Sequence, residues 1–129
     1  MQQFTQYDNI CESVKTFFEE KITQLNEAGV EDIILDPGFG FAKNVEQNYR
    51  LLHCMGLFSE MGYPVLAGVS RKSMIYKVLG TEPKDALAGT VAINWEALRK
   101  GASILRVHDT REAIEVIKLH EYYKQAYGA

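Results

Sequence analysis

Three short apolar runs divide the chain at nearly regular intervals. They span residues 32–36, 65–69 and 103–108, and each leads into glycine or polar residues typical of a turn. Roughly 30 to 40 residues separate one run from the next, a length that suits the helical crossover between parallel strands. The pattern therefore predicts an α/β fold with three parallel strands and flanking helices. Since a closed barrel of such units needs about eight strands, we expect an open sheet or part of a larger barrel.

The segments between these runs have helical periodicity and recognisable ends. Capping pairs mark three of the predicted helix starts: Asn9 with Glu12, Asn44 with Gln47, and Asp109 with Glu112. Residues 1–8 show no periodicity and predict a loop, and the second helix is expected to run to Gly62. Ser70 is predicted to cap a short helix after the second strand. A longer helix is predicted over residues 83–100, where Gly89 weakens the helix unless a neighbour packs closely.

The composition matches a single soluble globular domain of 129 residues. A net charge of −3 and a pI near 5.6 disfavour a nucleic-acid binder, which normally carries a basic stripe. No apolar run approaches the roughly 18 residues of a membrane span, and the N-terminus does not resemble a signal peptide. We therefore expect a cytoplasmic protein with no membrane partner, in which Cys11 and Cys54 are reduced and partly buried.

Polar side chains follow each predicted strand, at the position where ligands gather in parallel α/β folds. The first strand leads into Asp36 and a glycine-rich loop, the second into residues 70–73, and the third into residues 106–109. Side-chain alternation along the third strand places Arg106 and His108 on the same interior face. Because a buried arginine needs an anionic partner, the pattern allows either an anion site or a structural arginine–aspartate pair.

The loops after the first two strands each allow a functional and a structural interpretation. Lys72 lies in the first turn of a predicted helix, whose free N–H groups favour a carboxylate or phosphate, and Ser70 and Ser73 flank it. Alternatively, Lys72 and its neighbour Arg71 are solvated surface cations. The glycine loop is neither a dinucleotide fingerprint nor a P-loop, and Asp36 is nearly as well explained as a turn-forming residue.

Three motifs at these strand ends occur in a distinctive order. They are Asp-Pro-Gly-Phe-Gly-Phe-Ala-Lys at residues 36–43, Gly-Val-Ser-Arg-Lys-Ser at residues 68–73 and Arg-Val-His-Asp at residues 106–109. Over essentially the whole chain, they closely resemble the C-terminal part of the dihydropteroate synthase family. The resemblance implies a (β/α)₈ TIM barrel, of which residues 1–129 would form an incomplete pterin-binding part with strands six to eight. It also implies a role in folate biosynthesis, in which 7,8-dihydropterin diphosphate condenses with p-aminobenzoate and pyrophosphate is released. That enzyme is the sulfonamide target.

The same resemblance implies roles for individual residues. Those expected to bind the pterin are Asp36, Gly68, Lys72 and Arg106. Those expected at the aminobenzoate are Phe41, Lys72 and Ser73. Arg106 and His108 would hold the diphosphate, and Lys72, Arg106 and His108 would be catalytic. The Mg²⁺ of a full-length enzyme would be held by an N-terminal part, so no metal ligand is expected in this chain.

An incomplete barrel has consequences for association and activity. Two unpaired strand edges and an uncovered apolar inner face favour an oligomer, most simply a homodimer. The chain alone is expected to lack synthase activity, because the metal ligand and two mobile loops would lie outside it. Two alternatives from other classes remain, namely a pterin-binding module of a methyltransferase and a non-catalytic assembly fragment.

Overall fold

The computed structural model describes the backbone of residues 2–128 and the side chains of residues 10–128. Within that range the chain forms six α-helices, one 3₁₀-helix and two short strands. In chain order these are α1 (Gln2–Glu27), α2 (Val45–His53), α3 (Gly56–Ser59), β1 (Leu66–Ala67), α4 (Ser73–Leu79), the 3₁₀-helix (Pro83–Asp85), α5 (Leu87–Arg99), β2 (Ile104–Leu105) and α6 (Thr110–Gly128). None of the helices in this range is both long and apolar enough to cross a membrane.

The two strands are parallel, and a third segment joins them through a single bridge. Leu66 pairs with Ile104 and Ala67 with Leu105, while Leu35 forms a parallel bridge to Val65. The predicted parallel direction is confirmed, but the predicted strand over residues 32–36 is reduced to this bridge. Pro37 explains part of the difference, because proline has no N–H to extend the ladder beyond Asp36.

The N-terminal helix starts earlier than predicted. α1 begins at Gln2, so the loop predicted over residues 2–8 is wrong, and Met1 lies outside the described residues. The helix also runs through Asn9 and Glu12, which therefore do not mark its start. Residues 2–8 contain neither glycine nor proline, so nothing in this segment stops a helix that later residues stabilise.

The second predicted helix starts as expected and ends early. Asn44 Oδ1 accepts a hydrogen bond from Gln47 N at 2.7 Å, and Gln47 Oε1 accepts one from Asn44 N at 2.9 Å, which confirms the capping box. Instead of continuing to Gly62, α2 stops at His53 and α3 begins at Gly56. The low helix propensity of glycine favours a break at this point.

The prediction of one long helix over residues 83–100 holds only for its second part. A 3₁₀ turn at Pro83–Asp85 precedes α5, which covers Leu87–Arg99. The close neighbour that Gly89 required is present, because a Cβ built at Gly89 would lie 2.5 Å from Ile75 Cγ2. Glycine at this position therefore lets α4 and α5 approach each other.

The hydrophobic core lies between the sheet and the helices. Val65, Ala67 and Val69 are fully buried on the side of the sheet that faces the helices. Around them pack buried residues from the helices and loops, including Phe18, Leu35, Phe39, Leu51, Met55, Phe58, Met74 and Ala97. Because strand side chains alternate, Gly68 and Ser70 must belong to the opposite side. The sheet thus separates an apolar outer layer from a polar inner face.

Cys11 of α1 and Cys54, the residue after α2, form a disulfide with a Cα separation of 6.3 Å. The prediction that both cysteines are reduced is therefore wrong, although Cys11 is buried as expected. The two residues are separated by 43 positions in sequence. Only the packing of α1 against α2 brings them together.

Candidate functional site

A cleft of about 490 Å³ opens at the carboxyl ends of the three parallel segments. Its lining comes from all three of the loops that follow them: Asp36, Phe41, Gly68, Ser70, Lys72, Arg106, Val107 and His108. Of the residues predicted to bind ligand, only Ser73 lies outside this lining. Strand ends separated by many residues in sequence therefore deliver polar side chains to one place.

Asp36 has both a turn-forming and a pairing role. Its Oδ1 accepts a hydrogen bond from Gly38 N at 2.9 Å, which closes the turn, and its Oδ2 lies 3.3 Å from Arg106 Nη2. Gly38 and Gly40 have φ angles of +78° and +90°, which explains why the loop requires glycine there. The carboxylate nevertheless lines the cleft, where it can accept further hydrogen bonds.

Two residues hold the glycine loop in place without having been identified from sequence. Asn48 of α2 is buried and accepts a hydrogen bond from Gly40 N at 2.8 Å through its Oδ1. Lys43 Nζ donates to Gly38 O at 2.7 Å and to Phe41 O at 3.0 Å. The sequence does contain an indication of this role, because Asn48 is a polar residue next to the apolar positions of α2. A polar side chain buried there needs a hydrogen-bond partner.

Lys72 connects the second loop to the first. Its Nζ donates to Phe39 O at 2.6 Å and lies 5.1 Å from the centre of the Phe41 ring. Burial lowers the pKa of Lys72, the charge of Arg106 lowers it further, and Asp36 partly opposes both effects. Lys72 is therefore a partly desolvated cation in the cleft rather than a solvated surface residue.

A second, smaller cavity of about 310 Å³ adjoins the cleft. Phe41, Lys72 and Ser73, the three residues predicted at the aminobenzoate, all line it, together with Tyr76 and other residues. Phe41 is 67% exposed and also lines the main cleft. The Phe41 ring and the Lys72 side chain therefore form a wall common to both cavities.

Arg106 and His108 both line the cleft, as alternation along the third strand predicted. Arg106 is less buried than expected, since its side chain is 54% exposed while it pairs with Asp36. Gly68 faces this guanidinium directly, because a Cβ built at Gly68 would lie 2.8 Å from Arg106 Nη2. Because Gly68 has no side chain, the Arg106 guanidinium can lie close to its backbone.

Ser70 does not cap a helix as predicted. α4 begins at Ser73, with Lys72 as its N-cap residue and without a side-chain capping bond. The Ser70 hydroxyl lies instead 2.9 Å from His108 Nδ1 and accepts a hydrogen bond from His108 N at 3.3 Å. It joins the second loop to the third.

Arg71 and Asp109 join the same two loops through a bidentate ion pair. Arg71 Nε lies 2.9 Å from Asp109 Oδ2, and Arg71 Nη2 lies 3.1 Å from Asp109 Oδ1. Arg71 also donates to Pro83 O at 2.6 Å and, through its backbone N, to Thr90 Oγ1 at 3.0 Å. These contacts hold a non-glycine residue at a φ of +54°. The Asp109 carboxylate is therefore occupied by Arg71, which corrects its predicted role in helix capping.

Stability in acid is expected to depend on this pair. The hydrogen bonds from Arg71 lower the pKa of Asp109 below its ordinary value of 3.8. A lowered carboxyl pKa contributes stability above the ordinary value, and this contribution is lost as the pH falls through the lowered value. We expect Asp109→Asn to melt at a lower temperature than the parent at pH 7, with the gap closing below about pH 4. The exposed Asp32→Asn variant serves as control, and a gap that stays constant across pH would contradict this expectation.

Comparison with known proteins identifies the family. Residues 1–108 match the family described as pterin binding enzyme. The dihydropteroate synthase of Escherichia coli K12 is 41% identical over 123 residues, which cover 94% of this chain and 44% of that protein. A Coxiella burnetii dihydropteroate synthase, solved in complex with pteroic acid, superposes with a TM-score of 0.88 at 41% identity over 93% of this chain and 45% of that one.

A further solved relative is the Yersinia pestis dihydropteroate synthase in a sulfonamide drug complex. It superposes with a TM-score of 0.87 at 36% identity, over 91% of this chain and 43% of that one. The chain thus spans less than half the length of these relatives. Since the family match covers most of its 129 residues, the chain belongs to the pterin binding enzymes.

Proposed function

We propose that this chain supplies the substrate-binding face of a dihydropteroate synthase, which joins 7,8-dihydropterin diphosphate to p-aminobenzoate and releases pyrophosphate. The observation that carries the proposal is the meeting of one carboxylate, Asp36, with the cations Lys72 and Arg106 and with His108 in one cleft. A pterin ring edge presents hydrogen-bond donors that a carboxylate accepts, and a diphosphate needs cations and N–H donors. Relatives with the same fold bind pteroic acid and a sulfonamide drug.

Each subsite follows from the chemistry of its lining. Asp36, Lys72 and Arg106 hold the pterin, with Gly68 leaving room beside the guanidinium. The adjoining cavity takes the aminobenzoate, with Phe41 against its ring and Lys72 and Ser73 toward its carboxylate. The diphosphate lies against Arg106 and His108, on the side of the cleft formed by the third strand.

The reaction requires stabilisation of a departing anion. The neutral aryl amine attacks the pterin methylene carbon, so a C–N bond forms while the C–O bond to the diphosphate breaks, and the amine then loses a proton. Negative charge grows on the diphosphate as it leaves. Lys72, Arg106 and His108 are the catalytic residues in this scheme, because cations and donors already in position stabilise that charge without reorganising.

Mg²⁺ belongs to the reaction of the whole enzyme in this scheme. Among the described residues, no group of three or more His, Cys, Asp and Glu side chains comes together in a way that would hold a metal ion. The steps above use only the residues of this chain, and none of them involves the metal. The placement of the three parallel segments as strands six to eight of a barrel, residues 1–129 as one partial barrel domain, and assembly as a homodimer remain parts of the same proposal.

Calorimetric titration of the 129-residue chain tests the proposal. Pyrophosphate and 6-hydroxymethylpterin, added separately, are both expected to bind. Asp36→Asn should weaken pterin binding about 10- to 100-fold and leave pyrophosphate binding unchanged, because a hydrogen bond to a charged group contributes about 1.5–3 kcal/mol. His108→Gln should instead weaken pyrophosphate binding about 10- to 100-fold and leave pterin binding unchanged. Asp32→Asn, an exposed aspartate outside the cleft, should change neither affinity.

The other outcomes separate the alternatives. A chain that binds the pterin without pyrophosphate would act as a pterin-binding module of another enzyme. A chain that binds neither ligand would contradict the proposal and leave an assembly role. Equal losses in the Asp36 and Asp32 variants would show that the effect does not come from the cleft.

A further inference from the structure

Ser70 lies between the loops that follow the second and third strands. The residue is only 4% exposed, although it is among those that line the cleft. Its Oγ lies 2.9 Å from His108 Nδ1 and accepts a hydrogen bond from His108 N at 3.3 Å. Two contacts to one residue from a different loop fix the imidazole relative to the second strand.

The hydroxyl can serve His108 in only a few ways. A serine hydroxyl has one hydrogen to donate and two lone pairs to accept with. One lone pair takes the His108 backbone N–H. Within the described residues, the hydroxyl hydrogen has no acceptor at hydrogen-bonding distance other than His108 Nδ1. A neutral ring that receives this hydrogen bond at Nδ1 carries its own hydrogen on Nε2.

The carboxylate of Asp109, the next residue in the chain, does not contact the His108 ring. Both oxygens of Asp109 are instead bound by Arg71. Among the described residues, the hydroxyl of Ser70 is the hydrogen-bond partner of Nδ1.

We propose that Ser70 is a positioning residue that holds neutral His108 in the tautomer with its hydrogen on Nε2, so that the ring always presents a donor to the cleft. This inference rests on the proposed function, in which His108 binds the diphosphate. An imidazolium has hydrogens on both nitrogens and needs no such help. Ser70 therefore extends anion binding to the pH range in which the ring is neutral.

The other charged groups near the His108 ring are the same in the parent chain and in the Ser70 variant. The cleft that His108 lines also contains the cations Lys72 and Arg106 and the carboxylate Asp36. Asp109 is neutralised by Arg71. Replacing Ser70 by alanine alters none of these charges, so a change in pH dependence would originate in the ring itself.

Nitrogen-15 NMR of the ligand-free chain tests the tautomer directly. Long-range proton–nitrogen correlations at pH 8.5, where histidine is ordinarily neutral, distinguish a protonated from an unprotonated ring nitrogen. His108→Gln assigns the signals among the three histidines. We expect an unprotonated Nδ1 in the parent chain and in Ser70→Thr, which keeps the hydroxyl, and a mixture of tautomers in Ser70→Ala.

Pyrophosphate affinity supplies the functional measurement. Ser70→Ala should weaken binding by roughly 3- to 10-fold at pH 8.5 and by less than about twofold at a lower pH at which the NMR spectra show hydrogens on both ring nitrogens. Comparing each variant with the parent at the same pH cancels the ionisation of pyrophosphate itself. Ser103→Ala is the matched control, because Ser103 is exposed and lies at the start of the strand that leads into His108, away from the cleft.

The outcomes separate this inference from the proposed function. A hydrogen on Nδ1 in the parent chain, or an unchanged tautomer in Ser70→Ala, overturns the inference whatever the affinities are. Equal weakening at both pH values overturns it as well, because a purely structural defect would behave in that way. If the parent chain binds no pyrophosphate, the proposed function fails, while the NMR result still decides the role of Ser70 at the ring.

Discussion

Replacing Arg106 by alanine is expected to weaken pyrophosphate binding by roughly 10- to 100-fold. Hydrogen bonds to a charged group contribute about 1.5–3 kcal/mol, and a guanidinium can make two of them to one phosphate. The change would also leave the Asp36 carboxylate without its partner beside the bound anion. Repulsion between these like charges would add to the loss.

Three further variants make this measurement specific. Arg111→Ala removes an arginine that is 81% exposed and paired with Glu112 outside the cleft, so it should have no effect. Arg106→Lys keeps the charge without the planar fork and should lie between alanine and the parent. Gly68→Ala should displace the flexible guanidinium and weaken binding at little cost in stability. Equal affinities for the Arg106 and Arg111 alanine variants would contradict the assignment.

Reduction of the Cys11–Cys54 disulfide is expected to lower the free energy of unfolding by about 2–4 kcal/mol. The bond closes a loop between residues 43 positions apart, which limits the conformations of the unfolded chain. It also ties α1 to the end of α2. The other contacts of α1 include an edge-to-face pair of Phe18 with Phe58 and a hydrogen bond from Asn26 to Tyr63.

Urea denaturation with and without reductant measures this effect. The double variant with serine at positions 11 and 54 should match the reduced chain and should not respond to reductant. Pyrophosphate affinity should stay unchanged on reduction, because none of the α1 side chains that the structure describes, those of residues 10–27, lines the cleft. Two free thiols in the purified, non-reduced chain would refute the expectation.

Local signals in the sequence predicted several elements correctly. The capping box of Asn44 and Gln47 depends on residues three apart, so its geometry follows from the helix itself. Alternation along the third strand placed Arg106 and His108 on one face for the same reason. The loops that follow the three strands were expected to meet because parallel strands end at one edge.

Other features could not be predicted from sequence, because their partners are distant in the chain. Cys11 and Cys54 pair through the packing of α1, and Arg71 meets Asp109 across 38 positions. The local sequence predicts that Ser70 caps a helix, yet its hydroxyl contacts His108.

The sequence by itself determined the order of the elements, the parallel direction of the strands and the set of polar residues at their ends. Periodicity, the capping pair of Asn44 and Gln47, and motif spacing carry this information, since each depends on residues close together in the chain. The tertiary structure alone decided which side chain each of those residues contacts. That choice depends on how helices pack against the sheet, and it separates the residues that line the cleft, such as Arg106, from those that hold them in place, such as Asn48 and Ser70.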